Sequence, residues 1–360
     1  MRPTPAARRD PLAPSVREAR EVVGMYGDPD TTWGLCLEVR LTRPEDAGTV
    51  AERVAKLCAR RPHLGIAPVI TRHRDSTWAD ARRDVAAAPY GPTSPLLRLA
   101  LTDDGMGMLI GAHHGVVDGL GLLAVAGAAL GRELRSSARG IGERAAPHGF
   151  VGSSVRRLGE ALVAPPARFV GSGGEGPEPE DLSVVTRPRV GRGTADLAAA
   201  VLALHADLPT ASRRRPVLVI GASRRPRGVP QPDRQTAYLR LRMRPGREGA
   251  DRTTLARTIA DLRPEPDFPE TSAGGAAPLV VRLLKNRLGA TAMLSNLGGV
   301  EGEGLASVAM YPALSGPRSV AVGLVSTGSA TTLTLRTRRE EFDVEEHARL
   351  MAGLADRFFG

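Results

Sequence analysis

A short apolar strand that runs straight into a histidine-rich turn is the feature that most restricts how this chain can fold. Residues 106–112 are largely apolar, residues 113–119 (HHGVVDG) follow without a break, and a helix of small residues is predicted over about 119–134. The end of a strand beside a glycine-flanked turn is a usual place for a rigid scaffold to present a catalytic group. This strand–turn–helix unit predicts a mixed α and β protein built around a functional turn.

Two adjacent histidines open the turn. Neighbouring residues that leave a strand point to opposite faces, so His113 and His114 cannot both face one cavity. One is expected to line a cleft while the other packs inward. Asp118 can fix the turn or bind a cationic side chain from elsewhere, and Gly119 removes bulk beside the imidazole. On these residues alone, two ordinary turn histidines and a metal-binding pair remain open as alternatives.

Strand and helix patterns recur on both sides of a Gly-, Pro- and Glu-rich stretch at 171–183. We interpret this stretch as a crossover linker between an N-terminal lobe, 1–170, and a C-terminal lobe, 184–360. Each lobe mixes both element types, which indicates an α+β class. The predicted strands lie at about 32–41, 96–102, 106–112, 216–221, 238–243, 292–294, 318–326 and 330–338, and the predicted helices at about 45–60, 119–134, 193–207, 252–263, 277–288 and from Asp343 to the C-terminus.

Charge and composition narrow the classes of partner. The 360 residues carry 49 basic and 39 acidic side chains, a net charge of +10, which favours an acidic protein, a phosphate-bearing ligand or a nucleic acid. Aromatic residues are only 3%, too few for base-stacking platforms, so no nucleic-acid partner is expected.

No apolar window is long enough for a membrane span and no signal-peptide core opens the chain, so we expect a cytoplasmic protein with no membrane partner. The two cysteines form no CxxC pair, which argues against a cysteine zinc site.

The turn resembles a known family motif. Residues 113–119 match the HHxxxDG motif of the condensation-domain and chloramphenicol-acetyltransferase-like acyltransferase superfamily. Three further segments are similar to stretches of that family: 61–64 (RPHL), 235–240 (QTAYLR, with Gln replacing Asn in Asn-Thr-x-x-x-Arg) and 295–298 (SNLG). Together they cover about 60–300. The chain is shorter than typical stand-alone members and lacks the DFGWG motif of the plant branch.

The resemblance implies a fold and a reaction. The implied fold is α+β and chloramphenicol-acetyltransferase-like, with two similar lobes that meet in a V around a central tunnel. The implied function is a stand-alone bacterial acyltransferase of natural-product biosynthesis that forms an amide or an ester. The acyl donor would be a thioester, held by an acyl or peptidyl carrier protein or by coenzyme A, and the acceptor a small amine or alcohol. No metal or other cofactor is implied. A catalytically silent protein that binds a carrier protein, or a changed reaction such as cyclisation, dehydration or epimerisation, stays open.

The resemblance also implies roles for the turn histidines. His114 is the second histidine of the motif and would act on the acceptor nucleophile, either as a base or by positioning it. His113 would be structural, with its imidazole held by backbone groups.

Four other residues receive roles by the same resemblance. Asp118 would point away from the reacting groups and form a partly buried ion pair with Arg240, although an outward-facing strand arginine is the alternative at that position. Asn296 would lie at the tunnel wall and hydrogen-bond an acceptor or an oxyanion, and Ser295 beside it is a second candidate for such a contact. The alternative for Asn296 is a turn residue before two glycines.

Overall fold

A computed structural model describes residues 16–23, 32–175, 179–208, 214–225, 230–243, 251–266, 284, 287–314 and 316–360. The helices are α1 (Val16–Val23), α2 (Ala47–Arg60), α3 (Trp78–Ala87), α4 (Gly119–Leu130), α5 (Phe150–Val163), α6 (Thr194–Ala206), α7 (Arg252–Asp261) and α8 (Val344–Phe359). The strands are β1 (Gly34–Leu41), β2 (Ile70–His73), β3 (Leu97–Thr102), β4 (Gly107–His113), β5 (Arg135–Ser136), β6 (Glu180–Pro188), β7 (Val217–Ser223), β8 (Thr236–Arg242), β9 (Ala292–Glu301), β10 (Leu305–Tyr311), β11 (Val320–Thr327) and β12 (Ala330–Arg338). None of the helices in these ranges is long and apolar enough to cross a membrane.

The first sheet carries the histidine turn and has the strand order β10-β1-β4-β3-β2. Strand β4 lies at its centre, where every residue from Gly107 to His113 is buried. Helices α2 and α4 cover one face and share its main apolar core, and α3 packs on the other face. A turn at the end of a central, fully buried strand is held rigidly on both sides.

The second sheet has the order β6-β12-β11-β9-β7-β8, and β5 pairs with β9 at its side. Strands β7, β9 and β11 run parallel to one another, and the other pairs are antiparallel. Helices α6, α7 and α8 cover one face with a second apolar core. The opposite face of this sheet is turned toward the first lobe, because the carbonyl of Met310 in β10 would lie only 1.9 Å from a Cβ added at Gly323 in β11.

The two lobes exchange elements, so the division at 171–183 does not separate them. Strand β10 follows that boundary in the chain but pairs with β1 of the first sheet. Helix α5 precedes the boundary, yet its Glu160 forms ion pairs with Arg240 and Arg242 of β8. The predicted linker also contains the first residues of β6. The composition shift marks a change of loop character and not the border between the two packed cores.

Most predicted elements are confirmed within a few residues. The 96–102 and 106–112 strands form the predicted hairpin, with Gly105 in the left-handed region at φ 71°. The last helix begins after Asp343, whose side chain accepts from the backbone N–H of Glu346. The strand predicted at 292–294 is longer, because β9 runs on to Glu301. The helix predicted at 277–288 lies mostly outside the described residues.

Candidate functional site

The histidine turn is fixed by backbone contacts on three sides. The N–H of His113 donates to the carbonyl of Leu96, and the N–H of His114 donates to the carbonyl of Trp33 at 2.8 Å. Helix α1 closes against Gly115, where an added Cβ would lie 2.1 Å from the carbonyl of Ala19. Only glycine fits there, so the HHGVVDG sequence is shaped by packing as well as by chemistry.

His113 points into the protein. It is fully buried, its Nδ1 accepts the backbone N–H of Gly115 at 3.1 Å, and its ring stands edge-on to Tyr90 with centroids 5.1 Å apart. An imidazole placed in this way supports the turn, as the resemblance implies.

His114 points the other way, toward the second lobe. Its Nδ1 lies 3.0 Å from the carbonyl of Val117, which can only accept, so Nδ1 carries the proton. The other nitrogen, Nε2, therefore holds a lone pair, and it lies 3.0 Å from the hydroxyl of Tyr238 in β8. The geometry fixes one tautomer and aims the basic nitrogen across the lobe junction.

The surroundings of His114 favour its neutral form. Burial is the largest influence and lowers the pKa of this imidazole below its ordinary value, and the positive charge of Arg234 acts in the same direction. The hydrogen bond to Val117 and the carboxylate of Asp118 oppose this shift. A neutral imidazole that presents a lone pair at Nε2 can accept a proton from an amine or an alcohol.

Asp118 is bound by an arginine of the second lobe, but that arginine is Arg225 and not Arg240. The Nη1 of Arg225 lies 2.7 and 2.8 Å from the two carboxylate oxygens, and both side chains are buried. The carboxylate also accepts the N–H of Gly121 at 2.7 Å and the N–H of Gln235 at 2.8 Å. Asp118 thus caps α4 and ties the histidine turn to the segment that leads into β8.

The predicted Asp118–Arg240 pair is wrong because Arg240 is used elsewhere. Its Nη2 lies 3.2 Å from Glu160 of α5 and donates to the carbonyl of Gly289 at 2.8 Å. Alternation along β8 does put Arg240 on the face opposite Leu239 and Leu241, as predicted. That face is covered by α5, so Arg240 is buried instead of facing solvent.

Three residues in register across β8, β7 and β9 face the histidine turn. Tyr238 pairs with Gly221, and Gly221 pairs with Ser295, so the three positions share one face of the second sheet. Ser295 lies near the start of α4, since a Cβ added at Gly119 would be 3.9 Å from its Oγ. At Gly221 an added Cβ would meet only the carbonyl of Leu294, at 3.6 Å. This row, which we call the Tyr238–Ser295 row, leaves open space between its two polar members.

Asn296 does not belong to this row. It lies in β9, not in a turn, and strand alternation puts it on the face of α6. Its Nδ2 donates to the hydroxyl of Thr194 at 3.1 Å, and its Oδ1 accepts the N–H of Gly298 at 2.7 Å. Both polar ends of the amide are occupied within the chain, so the predicted contact of Asn296 with an oxyanion is wrong for this conformation. Ser295, its neighbour, faces the turn.

Sequence reasoning missed Tyr238, Arg225 and Arg234. Tyr238 occupies an unspecified position of the 235–240 motif, and strand alternation indicates only that it shares a face with Arg240. Arg225 and Arg234 are two of many arginines in the chain, and nothing in their spacing marks them.

Comparison with solved structures shows the fold. The starter condensation domain of rhizomide synthetase, solved with C8-CoA and Leu-SNAC, aligns with a TM-score of 0.58 and 14% identity, over 96% of this chain and 93% of that one. The first condensation domain of the calcium-dependent antibiotic synthetase aligns with a TM-score of 0.58, 15% identity and coverages of 94% and 92%. The SgcC5 protein of Streptomyces globisporus aligns with a TM-score of 0.55, 13% identity and coverages of 96% and 97%.

The chain therefore has a condensation-domain-like fold with two lobes, as the sequence motifs imply. Epimerization and cyclization domains of peptide synthetases share this fold. No family model matches the sequence, and a search of curated proteins finds no match.

Proposed function

We propose that this protein is an acyltransferase that moves an acyl group from a thioester to a small amine or alcohol. The observation that carries the proposal is the tautomer of His114, whose Nε2 lone pair is fixed by the Val117 carbonyl and aimed at the junction of the two lobes. The likeness to condensation domains, one of them solved with a coenzyme A thioester and an aminoacyl thioester analogue, supports the same chemistry.

The proposed reaction needs one base, which carries the acceptor proton to the leaving thiolate, and it needs no metal. The acceptor X–H adds to the thioester carbonyl, its proton passes to Nε2 of His114, and the carbonyl π electrons move to oxygen. The tetrahedral intermediate then collapses, the C–S bond breaks, and the thiolate takes the proton from His114. The lowered pKa of His114 keeps the imidazole neutral at the start of this cycle.

The donor is either an acyl or peptidyl carrier protein or coenzyme A. Both present phosphate or acidic groups, and the net charge of +10 suits either one. The acceptor is proposed to approach His114 through the open space over Gly221, because that space adjoins Tyr238, which contacts Nε2.

The test is release of free thiol from a panel of acyl-coenzyme A and acyl-carrier-protein thioesters, with pooled amines and alcohols and mass analysis of the products. We expect release that requires an acceptor, with a change of His114→Ala that abolishes it while the fold is retained. His73→Ala serves as the control, because His73 lies in β2, away from the turn. A folded and fully active His114→Ala protein would contradict the mechanism.

The same panel separates the alternatives. Since epimerization and cyclization domains share the fold, mass analysis and chiral separation of the carrier-bound substrate would reveal water loss or inversion without transfer. Tight binding of a carrier protein with no change to its thioester would indicate a recruiting protein instead of an enzyme.

A further inference from the structure

We propose that Tyr238 is the oxyanion-stabilising residue of this site, a role that rests on the acyl transfer proposed above. In the structure its hydroxyl donates to His114. When an acceptor takes that place on Nε2, the released hydroxyl donates to the oxygen of the tetrahedral intermediate. The argument begins from the contact itself. The Tyr238 oxygen lies 3.0 Å from Nε2, which is where an attacking nitrogen or oxygen must also be bound.

The direction of that hydrogen bond follows from the tautomer. Since Nδ1 of His114 donates to the Val117 carbonyl, Nε2 has only a lone pair to offer, and the tyrosine must donate. Burial raises the pKa of Tyr238 to about 12, so the phenol keeps its proton at neutral pH. A hydroxyl that stays protonated beside the reacting centre can donate a hydrogen bond to an oxyanion, because it is not ionised to phenolate at neutral pH.

The position of Tyr238 suits both states. Its hydroxyl is enclosed, although the residue as a whole keeps some exposed surface. Its in-register neighbour Gly221 contributes no side chain, so an acceptor has room beside the phenol. A nucleophile bound at Nε2 adds to a carbonyl carbon one bond away, which brings the carbonyl oxygen within hydrogen-bond reach of the same phenol. The side-chain amide of Asn296 is engaged on the far face of the sheet and does not reach this position.

In each cycle the tyrosine keeps its proton. The acceptor proton goes to Nε2 and then to the departing thiolate, the new bond forms between the acceptor atom and the carbonyl carbon, and the C–S bond breaks. Tyr238 only donates a hydrogen bond that is stronger to the oxyanion than to the neutral imidazole. An interaction that strengthens in the transition state raises kcat.

The test is Tyr238→Phe, which keeps the ring and removes the hydroxyl. We expect kcat to fall about 10²–10³-fold, the usual loss for one oxyanion donor. The acceptor KM should stay the same or fall, because the acceptor no longer has to displace the hydroxyl from Nε2. Tyr311→Phe is the matched control, since that hydroxyl donates to Glu38 and lies outside the site. A Tyr238→Phe enzyme that turns over as fast as wild type would overturn the role. One that turns over faster would show that the hydroxyl merely competes with the acceptor, which also overturns it.

A second measurement, made without substrate, tests the contact between the Tyr238 hydroxyl and Nε2 of His114 independently of turnover. Titration of the His114 ring by NMR, assigned with His114→Gln, should show a higher pKa in Tyr238→Phe than in wild type, because a donor to the neutral imidazole has been lost. An unchanged pKa would show that the hydroxyl does not hold Nε2 and would overturn the proposal. A wild-type protein that transfers no acyl group would overturn the proposed function and this role together. An active wild type with a full-speed Tyr238→Phe would overturn only the role of Tyr238.

Discussion

Asp118 in the first lobe and Arg225 in the second form a buried ion pair, with Nη1 of the arginine 2.7 and 2.8 Å from the two carboxylate oxygens. The same carboxylate caps α4 and accepts the backbone N–H of Gln235. One side chain therefore sets the start of the helix behind His114 and the entry to β8, which carries Tyr238. The position of His114 relative to the second sheet depends on this pair.

Removing one member of the pair should destabilise the fold. Arg225→Met leaves the buried Asp118 carboxylate without its counter-charge, and we expect the free energy of unfolding to fall by about 3–5 kcal/mol. Urea unfolding measures the change. A cycle with Asp118→Asn should give a coupling energy above about 0.5 kcal/mol for Arg225→Met and near-additivity for Arg240→Met, which shares no partner with Asp118. Coupling of Asp118 to Arg240 alone would contradict the assignment.

The wrong partner predicted for Asp118 shows which features the sequence predicts, namely local elements, and which it does not, namely contacts between distant segments. Elements with clear periodicity, such as the hairpin around Gly105 and the helix after Asp343, follow from local pattern and are confirmed. Ion-pair choice is decided by the tertiary arrangement, because 107 positions separate Asp118 from Arg225 and many arginines compete. Arg240 was assigned to Asp118 through the family motif, and only the position of α5 reveals that Glu160 binds it.

The face of a strand is likewise undecided until register and bulges are known. Ser295 and Asn296 are adjacent, and the sequence alone does not indicate which of the two side chains faces His114. The pairing of β7 with β9 settles this by placing Ser295 in register with Gly221. Tyr238 reaches the same row through β8, a neighbour that no local pattern identifies.

The charge of Arg234 should shift the acid limb of the activity profile, in addition to the larger effect of burial. A positive charge near the imidazole disfavours protonation, which contributes to the lowered pKa of His114. Arg234→Gln removes that charge, so the pKa of His114 should rise and the acid limb of kcat/KM should move to higher pH. Arg234→Lys keeps the charge and should leave the limb close to that of wild type. Profiles of the three proteins across pH 4–9, roughly the range in which histidines titrate, provide the measurement; a limb that moves equally in both variants would contradict an electrostatic cause.

Gly221 and Gly323 lie in one row of the second sheet, and the fold should tolerate an added side chain at the first but not at the second. A Cβ at Gly221 meets nothing closer than 3.6 Å, whereas one at Gly323 would lie 1.9 Å from the carbonyl of Met310. Gly323→Ala must push β10 away from β11, which should cost about 1–3 kcal/mol of unfolding free energy. Gly221→Leu should fold normally and place its side chain between Tyr238 and Ser295, which raises the acceptor KM. Thermal unfolding and acceptor titrations measure both effects, and an unchanged KM in Gly221→Leu would show that acceptors enter elsewhere.

His347 of α8 should make the free energy of unfolding depend on pH in the acid range, separately from any effect of pH on activity. Its ring is buried between the hydroxyls of Thr337 and Ser183, at 2.8 and 3.0 Å, and burial lowers its pKa below 6.5. Asp181 opposes this shift and Arg339 supports it. The unfolded chain therefore binds a proton more readily than the folded one below about pH 6.5.

The sign of the effect follows from that difference in proton uptake. Above the unfolded pKa the neutral ring carries no penalty. As pH falls through that value toward the folded pKa, the unfolded state gains protons first and the free energy of unfolding decreases. His347→Gln keeps a polar side chain without a titrating group, so its unfolding free energy should fall less steeply than that of wild type between about pH 6.5 and 5. Urea unfolding at several pH values measures the two slopes. Equal slopes in this window would show that the His347 ring titrates alike in the folded and unfolded states, contrary to its burial beside Thr337.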